Sequence, residues 1–206
     1  MHRFQVILDS ATMTLAPWDR PVIESPSFIV IPSLGSLVPG WLLIIPRRAS
    51  LCLRDLTAEE QIELDTIAGQ ATRLLQPFEG TVYHFEHGNS TPGGVMGCGV
   101  DQAHLHIVPL PFDLIAAVKR VEDSEIKWRP SADVDTFLRT VPASGEYISI
   151  WNSDNRLSMT GEVKVPRSQW VRRLIAKELG QDNAWDYRQH PQPENLLRTI
   201  KVLNQQ

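Results

Sequence analysis

Residues 97–109 read GCGVDQAHLHIVP, a glycine-rich stretch that runs directly into a segment of alternating residues. Apolar side chains recur at every second position from Ala103, which predicts a β-strand over 102–108 with one face in the core. The polar members share the opposite face: Gln102, His104 and His106. Glycine tolerates positive φ and close approach, so the preceding loop can turn backbone N–H groups toward an anion. Two imidazoles beside such a loop favour phosphate chemistry.

The two histidines are also compatible with simpler roles. They could lie on a solvent-exposed strand face without a function, or they could be two ligands of a zinc ion. A zinc site that combines His84 and His87 with Cys98 is a further alternative, and the thiol of Cys98 could itself be a nucleophile. The combination of both histidines with the glycine-rich loop favours phosphate chemistry over each of these alternatives.

The composition is that of an ordinary folded protein. Of the 206 residues, 42% are apolar and 21% are charged, which excludes a disordered polymer and a fibre. The 24 acidic residues outnumber the 20 basic ones, so broad binding to nucleic acid is not expected. Two cysteines cannot form a disulfide scaffold, and the sequence has neither an apolar signal segment nor an apolar run of membrane-spanning length. These features predict a cytoplasmic enzyme or binding protein that contacts no membrane.

Local patterns predict a mixture of helices and strands. Apolar runs bounded by proline or glycine predict buried strands at 28–31, 41–45 and 81–85, and a later strand is predicted at 147–151. Thr57 and Glu60 form a capping box that opens a helix. Further helices are predicted at 113–120, 131–140, 168–179 and from about residue 193, whereas residues 1–27 are expected to be irregular.

The motif segment resembles the histidine-triad, or HIT-like, superfamily of nucleotide hydrolases and transferases. Members carry His-x-His-x-His-x-x on a strand after a glycine-containing loop, and QAHLHIV at 102–108 matches, with Gln102 at the first histidine position. VPGWLLIIPRR at 38–48 is similar to the family's Pro-Gly-His-x-Leu-Val-x-Pro-Lys, with Trp41 in place of histidine. RDLTAEEQIEL at 54–64 is similar to the opening of the family helix.

The resemblance covers about residues 20–112 and implies a fold. It implies an α+β, HIT-like fold in which an antiparallel sheet of about five strands carries a packed helix, followed by a C-terminal helical extension. Residues 1–112 would form the nucleotide-binding catalytic domain, and residues 113–206 a mixed α/β extension packed on it. The resemblance implies a nucleotide or dinucleotide substrate and neither a metal nor a cofactor. It leaves a homodimer open.

The resemblance also assigns roles to residues. The middle histidine of the family motif attacks the α-phosphate, so His104 would form a nucleotidyl-histidine intermediate. His106 would contact the phosphate, and Gln102 completes the catalytic group. Ser33 falls where the family places a ribose contact, and Glu86 falls where it commonly places an amide. The residues expected to bind substrate are Ser33, Leu34, Glu86, Gly97, Cys98, Gly99 and Val100.

The resulting interpretation is a nucleotide phosphohydrolase that acts on a dinucleoside polyphosphate or a nucleoside phosphoramidate. The alternatives are a nucleotidyltransferase of the same superfamily and a nucleotide-binding module with little turnover. Replacing Gln102 with histidine is expected to retain or raise turnover, because it restores the family pattern. Four basic residues on the predicted helix near 168–179 favour a solvated face, with contact to distal phosphates or to a nucleic-acid 5′ end as the alternative: Arg167, Arg172, Arg173 and Lys177.

Overall fold

An eight-stranded antiparallel sheet forms the centre of the computed structural model, which describes residues 3–10, 14–96, 100–121, 125–132, 134, 141–152 and 154–205. The strands are β1 (Ile23–Glu24), β2 (Phe28–Pro32), β3 (Leu42–Pro46), β4 (Thr81–Gly88), β5 (Leu105–Leu110), β6 (Ile126–Ser131), β7 (Tyr147–Asn152) and β8 (Leu157–Val163). The helices are α1 (Arg3–Asp9), α2 (Ala58–Leu74), α3 (Leu114–Arg120), α4 (Trp170–Glu178) and α5 (Pro193–Leu203). The strand order is β1-β2-β3-β5-β4-β7-β8-β6, which places β5 in the interior of the sheet.

The sheet is larger than the sequence predicts. Residues 1–112 supply β1 to β5, and residues 113–206 add β6, β7 and β8 to the same sheet through the pairing of β7 with β4. The additional strands β6 and β8 lack continuous apolar runs, since they read IKWRPS and LSMTGEV. The boundary proposed at residue 112 lies between β5 and α3, and strands from both sides of it share one sheet.

Alternation along the central strands produces an apolar layer on each face of the sheet. On one face, residues such as Ile44 and Ile107 pack with α2 through Leu64 and Ala71. On the other face, the second apolar layer includes strand residues and residues from α1, α3 and α4. Among the helices in the described ranges, none has the length and apolar character needed to cross a bilayer.

Most of the local predictions are confirmed. The capping box opens α2 with both reciprocal bonds between Thr57 and Glu60 in place. The predicted strands at 28–31, 41–45, 81–85 and 147–151 and the helices at 113–120, 168–179 and from 193 are present, with small shifts at their ends. Two predictions are wrong: α1 occupies part of the segment expected to be irregular, and Ser131 ends a strand rather than opening a helix. The remainder of the predicted helix includes 133 and 135–140, which lie outside the described residues.

The strand that carries the motif begins three residues later than predicted. It spans Leu105–Leu110 rather than 102–108. The neighbouring β3 ends at Pro46, which has no N–H to continue the ladder. The segment before β5 bonds instead to the chain that follows β3, where Ala103 N donates to Ser50 O over 2.6 Å. The predicted apolar face is confirmed, because its members all lie in the α2 layer: Ala103, Leu105 and Ile107.

Candidate active site

A cavity of about 130 Å³ lies on the sheet face opposite α2 and contains both motif histidines. Its walls come from α1, the β2–β3 loop, β3, β4, β5 with the segment before it, and the C-terminal part of the chain. The lining residues are Arg3, Phe4, Ser33, Leu34, Leu43, His87, Val100, His104, His106, Gln169, Arg172 and Tyr187. The site therefore combines residues from both halves of the sequence.

His104 is held with a defined tautomer at the start of β5. Its Nδ1 lies 2.9 Å from the backbone oxygen of Gln102. Because a carbonyl oxygen can only accept, Nδ1 carries the proton in this bond, and the lone pair of the neutral ring is on Nε2. The ring of Phe4 meets His104 edge to face at 5.3 Å, and the ring of His106 does so at 4.9 Å. These contacts thus fix the orientation of the side chain and place the lone pair of the neutral ring on Nε2.

His106 is held with the opposite tautomer. The indole Nε1 of Trp41 lies 3.0 Å from His106 Nδ1, and an indole N–H can only donate. Neutral His106 therefore carries its proton on Nε2. Its ring stacks on Phe85 at a centroid distance of 4.3 Å. Burial lowers the pKa of His106 well below its usual range, and the charge of Arg172 and any protonation of His104 or His87 lower it further. His106 is a neutral hydrogen-bond donor at physiological pH.

His87 is a third cavity histidine to which the sequence analysis assigns no role in phosphate chemistry. It lies on β4 on the same sheet face as Phe85, and its Nε2 accepts from Val171 N, in the first turn of α4, over 3.1 Å. Burial lowers its pKa to about 3, with smaller contributions from the charges of His104 and Arg172. The signal in the sequence is the strand alternation, since His87 is two residues beyond Phe85.

Glu86 does not line the cavity, contrary to its predicted role in substrate binding. It lies one residue from His87 on β4, so its side chain points to the opposite face of the sheet. There the carboxylate accepts from Leu53 N over 2.7 Å and from the hydroxyl of Tyr147. Burial raises its pKa to about 7, although both hydrogen bonds oppose the shift. Glu86 thus links the segment before α2 to the sheet.

Gln102 does not line the cavity either. It is buried, and its side-chain amide donates to Pro46 O over 2.7 Å and to Arg48 O over 3.1 Å. The predicted common face of three polar residues is therefore wrong for Gln102, since the residue precedes the strand. Its side chain joins the segment before β5 to the end of β3, while its backbone oxygen positions His104.

The structure brings three of the other predicted contacts together at the histidines. Ser33 and Leu34 from the β2–β3 loop and Val100 from the segment before β5 line the cavity. The Ser33 hydroxyl donates to Leu34 O over 3.3 Å. The predicted backbone contacts at Gly97, Cys98 and Gly99 lie outside the described residues.

The alternative zinc site is not assembled by the part of the chain that the structure describes. His84 and His87 face opposite sides of the sheet, since His84 lies against Thr72 of α2 and against Trp151. Cys98 lies outside the described residues, and elsewhere in the described ranges no group of three His, Cys, Asp or Glu side chains could hold a metal ion.

Arg172 contradicts the predicted solvated face of α4. It is only 3% exposed and lines the cavity, with its guanidinium 4.8 Å from the centre of the Trp41 ring. Arg167 and Arg173 do lie at the surface, where Arg167 pairs with Glu125 and Arg173 lies over the Trp185 ring. Spacing along α4 could not identify Arg172, because the docking of α4 beside β4 determines which basic residue is enclosed.

The C-terminal half and α1 contribute the remaining residues that sequence reasoning missed. Gln169 and Tyr187 line one wall, and Arg3 and Phe4 line another. In the described ranges no Asp or Glu lines the cavity, while two arginines and three histidines do. The site therefore suits an anion that approaches an oriented imidazole.

No protein-family model and no curated protein matches the chain. Solved structures similar to it include a Hit-like protein from Bartonella henselae involved in cell-cycle regulation, at TM-score 0.37 and 21% identity, covering 43% of this chain and 64% of that one. Another is a Hit-like protein at TM-score 0.41 and 15% identity, covering 53% of this chain and 98% of that one. A uridylyltransferase is similar at TM-score 0.45 and 11% identity, covering 88% of each chain. The match thus spans just under two thirds of the Bartonella protein.

Proposed function

We propose that this chain is a nucleotide phosphohydrolase that acts at the α-phosphate through a nucleotidyl intermediate on His104. The observation that carries the proposal is the hydrogen bond from His104 Nδ1 to Gln102 O, made inside a cavity that also contains His106. This bond leaves the Nε2 lone pair as the nucleophile. The HIT-like motif at 102–108 supports the same role for His104.

The proposed reaction has two displacements at phosphorus. In the first, Nε2 of His104 bonds to the α-phosphorus while the bond to the leaving group breaks. The leaving group departs with the electron pair, as a phosphate anion from a polyphosphate or, after its nitrogen has taken a proton from solvent, as ammonia or an amine from a phosphoramidate. The Nδ1 proton stays on its bond to Gln102 O, so the phosphorylated ring is cationic and a good leaving group. In the second, water attacks phosphorus, the P–N bond breaks and the water's proton passes to solvent. Two steps of this kind are easier than one direct hydrolysis.

His106 is proposed to stabilise the charge on the reacting phosphate. Its neutral tautomer carries a proton on Nε2, which can donate to a non-bridging oxygen without adding a charge that would repel a cationic His104. Phosphoryl transfer depends mainly on positioning and charge stabilisation, so a fixed donor of this kind is the contribution expected of the protein.

The cavity volume bears on the substrate. About 130 Å³ is below the ~300 Å³ at the lower end for sites that enclose a whole small ligand. The cavity is therefore expected to hold the reacting phosphate and its immediate neighbours, with the rest of the substrate at the mouth. This arrangement suits dinucleoside polyphosphates, which carry large groups on both sides of the phosphorus. It also suits nucleoside phosphoramidates, in which the nucleoside would lie at the mouth.

The test is a substrate panel combined with mapping of the intermediate. The native protein is incubated with dinucleoside polyphosphates, adenosine phosphoramidate and sugar nucleotides, with and without inorganic phosphate as an acceptor. We expect a nucleoside monophosphate product and an acid-sensitive, base-stable label from the α-phosphorus on the peptide that contains His104. Transfer of the nucleotidyl group to phosphate rather than to water would instead identify a nucleotidyltransferase.

Variants separate the roles of the two histidines. His104→Ala should lower turnover by several orders of magnitude, as expected when a covalent route is lost. His106→Ala should slow turnover less and still permit labelling of His104. His190→Ala is the control, because His190 is absent from the cavity lining. Full activity in His104→Ala, or label on His106, would contradict the proposed mechanism, whereas nucleotide binding without turnover would indicate a binding module.

A further inference from the structure

Arg172 is a buried cation that the C-terminal part of the chain places in the wall of the cavity. Its Nε donates to Trp185 O over 3.0 Å, and its Nη2 donates to Gly35 O. Its guanidinium lies over the rings of Trp41 and Tyr187, at 4.8 and 5.9 Å from their centres. Contacts from the β2–β3 loop and the C-terminal segment thus hold the guanidinium in one place.

Arg172 interacts with an acidic residue outside the cavity lining, since its charge is one of the smaller causes that lower the pKa of Asp186. In the part of the chain that the structure describes, no acidic residue lines the cavity. The other arginine in the lining, Arg3, forms an ion pair with Asp19 at 2.7 Å, so the protein itself balances that charge. His87 and His106 are kept neutral by burial. The hydrogen bonds from Arg172 to Trp185 and Gly35 end on neutral carbonyl oxygens.

A buried guanidinium is costly unless an anion or well-placed acceptors compensate for its lost hydration. Its planar donors match the oxygens of a phosphate group, and hydrogen bonds between two charged groups are stronger than those between neutral ones. A phosphate that enters the cavity to meet His104 would bring anionic acceptors to the wall that Arg172 lines. Arg172 also lies over Trp41, the residue that fixes the tautomer of His106.

We infer that Arg172 binds a phosphate group of the substrate, so that the C-terminal part of the chain provides the positive charge of the active site. This inference rests on the proposed function, because it takes the ligand to be a nucleotide. It makes Arg172 a determinant of specificity for phosphorylated ligands over the corresponding nucleosides.

Ligand pairs that differ only in the phosphate test this role. Isothermal titration calorimetry compares AMP with adenosine and UMP with uridine, none of which has a leaving group to lose. In the native protein we expect each monophosphate to bind at least about tenfold more tightly than its nucleoside. Arg172→Met should weaken monophosphate binding about 10- to 100-fold and leave nucleoside binding nearly unchanged. Arg172→Lys keeps the charge but not the planar donors, so its affinity for the monophosphates should lie between those of the native protein and Arg172→Met.

Binding of the nucleosides, measured in the same variants, distinguishes a role in phosphate binding from a structural role. A residue that only held the wall together would weaken nucleoside and monophosphate binding equally, leaving their ratio unchanged. Arg167→Met is the matched control, because it removes one guanidinium that is 58% exposed in its pair with Glu125, outside the cavity. If Arg172→Met does not fold, the comparison is made with Arg172→Lys.

The outcomes distinguish this inference from the proposed function. Turnover through His104 with an unchanged monophosphate-to-nucleoside ratio in the Arg172 variants would overturn the role of Arg172 alone. A reduced ratio in those variants without turnover of any substrate in the panel would support phosphate binding by Arg172 and overturn the hydrolase. Failure of the native protein to bind either monophosphate would overturn both.

Discussion

The indole N–H of Trp41 donates to Nδ1 of His106 over 3.0 Å, and this bond determines which nitrogen of His106 carries a proton. Trp41 is fully buried between the β2–β3 loop and the sheet. The HIT-like pattern has a histidine at this position, which could donate or accept according to its protonation. Tryptophan donates at every pH, so the neutral His106 ring keeps its proton on Nε2.

Replacing Trp41 with phenylalanine should remove the hydrogen bond that fixes the tautomer of His106. Without the indole donor, Nδ1 of His106 can take up the proton, and a mixture of tautomers is expected. ¹⁵N chemical shifts of the His106 ring would report the mixture. Turnover of the best substrate should fall, but by less than the ~100-fold expected when a positioned donor is lost completely, because part of the population keeps the native tautomer. Trp18→Phe is the control, since Trp18 is 41% exposed at the surface. An unchanged His106 tautomer in Trp41→Phe would contradict the role given to the indole.

The parts of the fold that the sequence predicted are those whose determinants are local. The strands at 28–31 and 41–45 are continuous apolar runs, and the capping box that opens α2 is complete within four residues. His104 and His106 were identified because alternation on a strand is a property of consecutive residues. Both line the cavity.

The features that the sequence did not predict depend on contacts between distant segments. Arg172 looks like any basic residue on an amphipathic helix until α4 docks beside β4, where Val171 N meets His87. Gln102 occupies the position of a motif histidine, but Pro46 ends the neighbouring strand and turns Gln102 into a link between segments. Edge strand β6 carries exposed and charged residues, so its pattern resembles that of a loop.

This position of Gln102 reverses the expected effect of restoring histidine there. The glutamine amide supplies two N–H groups to two backbone carbonyls, at Pro46 and Arg48, whereas a neutral imidazole has one N–H. Gln102→His should therefore destabilise the fold by about 1 to 2 kcal/mol, measured by urea unfolding. It should also lower turnover, because loss of the side-chain anchor would displace the segment whose backbone oxygen at residue 102 holds His104. Gln102→Glu should destabilise the fold further, since a carboxylate cannot donate a hydrogen bond to either carbonyl. Stability and turnover at the native level in Gln102→His would contradict this assignment.

Gly35 is the point at which the β2–β3 loop meets the C-terminal segment. Its φ is +63°, and a Cβ built there would lie 2.5 Å from Tyr187 Cβ. Its N–H donates to Pro191 O over 2.9 Å, and its oxygen accepts from Arg172. The backbone on both sides of the cavity wall therefore depends on the absence of a side chain at residue 35.

Gly35→Ala should lower the free energy of unfolding by more than a left-handed backbone alone explains. Gly180→Ala isolates that backbone cost, because Gly180 has φ +67° and no atom lies within 4 Å of the position that a Cβ would occupy, so about 1 to 2 kcal/mol is expected. The contact with Tyr187 should add about 1 to 3 kcal/mol in Gly35→Ala, measured by urea unfolding. Of the two variants, only Gly35→Ala should also bind AMP more weakly than the native protein does. Equal losses in the two variants would show that the C-terminal segment does not need the close approach at Gly35.

Glu86 makes the stability of the protein depend on pH in an unusual direction for a carboxyl group. Its pKa is raised from 4.5 to about 7, chiefly because it is buried. Between these values the unfolded chain loses the proton while the folded protein retains it. The stabilising contribution of Glu86 is therefore fully present below about pH 4.5 and is lost as the pH rises through about 7. His84 and His87, whose pKa values are lowered to about 3 by burial, have the opposite effect, since their contribution is lost as the pH falls from about 6.5 to 3.

Glu86→Gln should separate these opposing effects. The amide has the same shape as the carboxyl, can accept from Leu53 N and can donate to the oxygen of Tyr147, but it does not titrate. The buried histidines are present in both proteins, so their effects cancel in the difference between variant and native protein. The free energy of unfolding of the variant minus that of the native protein should rise by about 2 to 3 kcal/mol between pH 5 and pH 8, measured by urea unfolding. A difference that stays constant between these pH values, or that changes in the opposite direction, would mean that Glu86 is ionised throughout in the folded protein.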